Sequence, residues 1–140
     1  MLYPTFQIFD APSREFCSVN RPRTNTPLQA LVTLNDPTFV EAARVFGQRI
    51  LAEGGNNDLD RLTFAFTLAT SRPPQEDEMQ ILSATLAEQR EEFRGHPDRA
   101  GQLISNGKSP PGKDTDPIEL AAWTAMGNIL LNLDETITRE

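Results

Sequence analysis

The stretch DPIELAAWTAMGNILLNLDETITRE, residues 116–140, decides the fold. Asp116 is a good N-cap, and Pro117 fits the first helical position, where a missing N–H costs nothing. No charge interrupts the 14 residues from Leu120 to Leu133. Leu120, Trp123, Leu130 and Leu131 fall on one side of a helix; Ile118, Ala122, Ala125, Ile129 and Leu133 fall on another. A helix apolar on more than one side is stable only when enclosed. The run is shorter than the about 20 apolar residues that span a bilayer, so other helices must enclose it. The segment therefore reads as the centre of an all-α bundle, with Gly127 as the point of a close helix crossing.

The helices that wrap it are legible upstream. Thr26 and Pro27 start a short helix that includes Leu28, Leu31 and Val32 and stops near Asn35. Asp36 and Pro37 start the next, with an apolar stripe of Phe39, Val40, Ala43, Phe46, Gly47, Ile50 and Leu51. Glu41, Arg44 and Gln48 fall on its other side, and Gly54–Gly55 ends it in a left-handed cap. A third helix covers about Asp58 to Thr70, with Leu59, Leu62, Phe66 and Ala69 as its main stripe and Phe64, Ala65 and Leu68 widening it until it reads as enclosed. After the break Ser71-Arg72-Pro73-Pro74, a fourth runs from about Gln75 to Phe93 with Met79, Leu82, Leu86 and Phe93 inward. A short fifth spans Pro97 to Ser105. NGKSPPGKDT, residues 106–115, holds two prolines, two glycines and both lysines, and reads as the most mobile loop.

Pro4, Pro12 and Pro22 break up residues 1–25, where no periodic stripe emerges. The expectation is an extended N-terminal arm (1–25) laid across one helical domain (26–140), a compact bundle of about five or six helices. Phe6, Phe9 and Phe16 would supply its apolar contacts.

The chain has 140 residues and a formal charge of −7. Residues 1–70 carry −1 and residues 71–140 carry −6. An acidic chain without a basic stripe is a poor nucleic-acid binder, since phosphate neutralisation supplies most non-specific affinity. No nucleic-acid partner and no membrane insertion are expected. The first fifteen residues lack the basic start and apolar run of a signal peptide.

Catalytic chemistry has little to stand on. Cys17 and His96 are the only residues of their kinds, so no Cys-x-x-Cys pair and no haem-attachment motif exists. No phosphate-binding glycine loop occurs. The paired carboxylates (Asp58/Asp60, Glu76/Asp77/Glu78, Glu91/Glu92 and Asp134/Glu135) are local; the first two groups sit at helix starts, Glu91/Glu92 outward, and nothing marks any of them as an acid/base pair. No catalytic residue, metal site or cofactor is assigned. One cluster stands out: Arg14, Arg21, Arg23 and Asn25 crowd into twelve residues. Guanidinium forks suit anions and docking partners. The competing reading is that these arginines pair with the acidic helix surfaces and pin the arm.

FDAPSREFCSVNRPRTNTPLQALVTLNDPTFVEAARVF, residues 9–46, closely resembles the hallmark segment of a planctomycete-specific C-terminal domain, domain-of-unknown-function family fifteen fifty-three. ATSRPPQEDE (69–78) and residues 116–140 also resemble it, although Gln75 stands where a Thr cap is common. The resemblance implies the end of a longer exported protein, preceded by a cytochrome-c-like domain and a second domain of unknown function. It implies no reaction and gives no residue a role. Two functions are carried forward. One is a non-catalytic helical interaction or structural module whose partner is the upstream part of its own protein. The alternative is part of an enzyme acting on anionic polysaccharide, sulfated forms included, with the arginine cluster as a clamp.

Overall fold

The computed structural model describes Ile8, residues 26–111 and residues 115–137. Seven helices follow one another from residue 27 onward: α1 Pro27–Asn35, α2 Pro37–Glu53, α3 Asp58–Thr70, α4 Glu76–Gly95, α5 Pro97–Ile104, α6 Pro117–Leu131 and α7 Asp134–Ile137. No strand occurs among the described residues. The all-α bundle expected from the sequence is what forms. The final segment divides in two: α6 ends at Leu131, and α7 is a single turn tied back by the Thr136 hydroxyl, which donates to the Leu130 carbonyl at 2.9 Å.

The helix starts are set by local chemistry. Asp36 and Asp116 each accept from the backbone N–H two residues on, at 2.8 and 3.3 Å. Asn57 accepts from the Asp60 N–H at 2.8 Å. Thr26 and Gln29 form a reciprocal capping box, each side chain accepting the other's backbone N–H. Gln75 does serve as the N-cap of α4, where its N–H donates to Glu78 Oε2 at 2.7 Å. Gly55 takes the left-handed conformation that ends α2 (φ 97°).

α6 lies at the centre and packs on α2, α3, α4, α5 and α7. Leu120, Ala121, Ala122, Trp123, Met126 and Leu130 are all buried. Its crossing with α2 is close on both sides. A methyl group placed on Gly127 would sit 2.9 Å from the Ala43 carbonyl oxygen, and one on Gly47 would sit 3.0 Å from the Trp123 carbonyl carbon. The expectation for Gly127 holds, and Gly47 is its counterpart across the interface.

Three expectations need correction. Arg44 was expected on the outer face of α2, yet it is fully buried, because the 106–111 loop folds back over it. That loop is tied down in the part described, rather than loose. Leu59 and Leu68 are exposed, so α3 is covered on one side only. α1, to which the sequence assigned no inward face, turns its leucines outward and Gln29 and Thr33 inward. Of the arm only Ile8 is described, and it is helical; the expectation of an extended arm over residues 1–25 otherwise lies outside the described residues.

Candidate functional site

The four residues expected to bind an anion or partner, Arg14, Arg21, Arg23 and Asn25, lie outside the described residues. One contact of the arm is described: the Gln29 side-chain amide donates to the Ile8 carbonyl at 2.8 Å. Gln29 is 1% exposed.

That contact explains the orientation of α1. Gln29 and Thr33 stand one turn apart and face inward, where the Thr33 hydroxyl meets Asn132 Oδ1. Asn132 also donates to the Asn128 carbonyl at 2.8 Å. A buried polar group must be matched, and α1 satisfies its own by turning them to the arm and to the end of α6. Its leucines are then left outside: Leu28 is 53% exposed and Leu31 58%, with Leu34 also exposed. At about 100° per residue the three lie within about a third of the helix circumference, opposite Gln29 and Thr33. Single exposed leucines are ordinary, but a ridge of three on one short helix is an apolar surface of its own.

A second surface gathers where α3 ends and α4 and α7 begin. Ser71, in the left-handed conformation (φ 66°), turns the chain so that Arg72 reaches two carboxylates. Its guanidinium donates to Glu78 at 2.7 and 2.8 Å and to Glu135 at 2.8 Å twice. It also stacks 4.8 Å from the centre of the Phe66 ring. The Arg72 hydrogen bonds, with the Gln75 N–H second, hold the Glu78 carboxyl down to about 2. Glu78 and Glu135 in turn push the Arg72 guanidinium up. Beside this clasp opens a cavity of about 280 Å³ lined by Phe66, Ile81, Leu82 and Leu133 and by the carboxylates Glu78, Asp134 and Glu135.

Two further clusters are structural. Arg90 of α4 joins the starts of α3 and α6 through Asp58 (2.5 and 2.8 Å) and Glu119 (2.8 Å). Its hydrogen bonds hold Asp58 below the usual carboxylate value. Arg44 donates to the Ser109 carbonyl at 2.8 Å and the Pro110 carbonyl at 3.3 Å. Glu41 caps the same loop: it accepts from the Ser109 hydroxyl and from the N–H groups of Lys108 (3.0 Å) and Ser109 (2.8 Å). Those bonds, the Ser109 hydroxyl foremost, lower its carboxyl to about 2. The pairing of arginines with acidic helix surfaces, weighed above for the arm, thus operates at Arg72 and Arg90.

Sequence reading missed both surfaces. Arg72 reads as part of a helix break, and the three acids that meet at the cleft come from positions 78, 134 and 135. Asp134 and Glu135 are neighbours in sequence, but no local signal brings them to Arg72 and Glu78. The α1 face was accessible in principle: Gln29 and Thr33 on one side and Leu28, Leu31 and Leu34 on the other form a two-sided pattern that reads either way. Among the described residues no group of three or more His, Cys, Asp or Glu side chains is placed to hold a metal, and no helix is long and apolar enough to cross a membrane.

These features define an all-α domain with two apolar surfaces and charge clusters that fasten helix ends. The model of the family described as PSD1: Protein of unknown function (DUF1553) matches residues 1–86, and the chain belongs to that family. The match takes in α1 to α3 and stops within α4, short of the 116–140 stretch. Searches of the curated proteins and of the solved structures found no match.

Proposed function

We propose that the chain is a non-catalytic helical interaction module whose partner is the upstream part of a longer polypeptide of its family, in the planctomycete-type arrangement. The observation that carries this reading is the outward leucine ridge of α1. A helix packed only for its own domain would turn Leu28, Leu31 and Leu34 inward and its Gln and Thr outward. α1 does the reverse, and holds that orientation with polar bonds to Ile8 and Asn132. The reading assigns Arg14, Arg21, Arg23 and Asn25 to the same contact, on their chemistry alone. No described feature favours the polysaccharide-enzyme alternative, which depends on those same arginines.

The test is direct binding of the purified upstream polypeptide to this chain, followed by calorimetry. Replacing both Leu28 and Leu31 by Glu should abolish binding and leave the melting temperature within a few degrees, since both side chains are already exposed. An upstream polypeptide that does not bind, or that binds the double variant as well as the parent, overturns the reading.

A further inference from the structure

The cleft beside Arg72 has a chemistry that the α1 ridge lacks. Its apolar lining runs from Phe66 and Leu82, both buried, to Ile81, which is 65% exposed. Three carboxylates share that lining, and Arg72 bonds to two of them. Glu76 and Asp77 stand exposed in the same first turn of α4. Among the described residues the mouth therefore carries more negative than positive charge around an apolar interior, Glu76 and Asp77 adding to the clasped pair.

At about 280 Å³ the cavity stands at the low end of the roughly 300–1,000 Å³ range of small-molecule sites. It suits one bulky side chain, the anchor by which many protein interfaces gain their affinity. Charge complementarity selects what carries that anchor: a basic segment meets opposite charge at the rim, and an acidic one meets like charge. A second copy of this chain is a poor occupant, because each copy carries −7.

We propose that this cleft seats one aliphatic or aromatic side chain of a protein segment that carries Lys or Arg on both sides of it. The proposal deepens the reading as an interaction module by giving the chemistry of a partner at a second surface. It does not involve the α1 leucines.

The experiment uses the whole chain and three capped five-residue peptides: Arg-Arg-Leu-Arg-Arg, the same with Ala at the centre, and the same with Glu in place of every Arg. Methyl NMR follows Ile81, Leu82 and Leu133. The leucine peptide should shift all three methyl sets and saturate. The alanine peptide should bind at least about tenfold more weakly, since the buried leucine is lost. The glutamate peptide should not bind. I81K should weaken the leucine peptide at least about tenfold without lowering the melting temperature, the side chain being exposed. I81K should also leave binding governed by Leu28 and Leu31 unchanged, so failure here is separable from failure of the interaction-module reading. Equal binding of the leucine and alanine peptides would reduce the site to surface charge, and an unaffected I81K would place the peptide elsewhere; either result overturns the proposal. Concentration-dependent self-association abolished by I81K would give the cleft to a second copy and overturn it equally.

Discussion

At the scale of single residues, the two glycines of the α2–α6 crossing and the clasped arginines make the sharpest predictions. A methyl group on Gly127 meets backbone, the Ala43 carbonyl at 2.9 Å, and the Phe46 ring at 3.2 Å. Gly→Ala gains about 1 kcal/mol of helix propensity, whereas overpacking costs about 1–3 kcal/mol. Because backbone cannot rotate away, the cost prevails, and Gly127→Ala should lower the melting temperature. Gly101, inside α5, has nothing within 4 Å of the same position. Gly101→Ala should raise the melting temperature, up to about 1 kcal/mol in stability. Thermal unfolding of the pair checks both signs, and the same sign for both would refute the packing argument. Acid should act through the depressed carboxyls. Glu78 and Glu41 lie at about 2, below the ordinary 4.5. Their stabilisation is fully present above about 4.5 and is lost as pH falls toward 2. Urea midpoints should therefore drop across that window. Glu78→Gln should be less stable than the parent at pH 7 and lose less on acidification. A parent midpoint that stays flat from pH 5 to 2.5 would contradict this.

At the scale of elements, α1 and the 106–111 loop are held by a few polar contacts and should come loose independently of the core. Arg44→Met removes the donors to Ser109 and Pro110 while keeping an apolar stem beneath the loop. The expected loss is about 1–3 kcal/mol, with cleavage by protease appearing first within residues 106–111. Uniform protection of that loop in the variant would show that Glu41 alone suffices. These are also the elements where periodicity misleads. The order, type and caps of the helices are legible because Asp36-Pro37, Asn57, Asp116-Pro117 and Gly54–Gly55 act on their own neighbours. The inward face of α2 is legible because Val40, Ala43 and Ile50 are apolar and close in sequence. Arg44 is different: its cover arrives 65 residues later in the chain. α1 is different again, since Leu28 and Leu31 would satisfy any local rule by facing in. Its orientation is decided by Gln29 and Thr33 meeting Ile8 and Asn132, partners 21 and 99 positions away. The cleft was illegible for the same reason, since Arg72 meets Glu135 63 positions downstream. Within the candidate surfaces, then, residue types were readable and adjacency was not.

At the scale of the whole molecule, the helix that every longer element wraps comes almost last. Thr33 and Leu34 find their α6-end partners 99 and 94 positions downstream. Synthesis proceeds from the N-terminus, so α1 to α5 emerge before the surface that buries them exists. Until α6 follows, the inner faces of α2 and α4 lack the helix they chiefly pack on. Long sequence separation slows folding, because loop closure is unfavourable before any contact forms to offset it. A chain halted after Thr115 should keep part of its helical ellipticity but melt without a cooperative transition and bind hydrophobic dyes. A sharp transition in that shortened chain would mean that α2 to α5 build a core unaided. Between the emergence of α1 and that of α6, the nascent helices thus stand as a set of unsheltered amphipathic elements. The protein's yield in a cell should depend on holding chaperones far more than its finished stability would suggest.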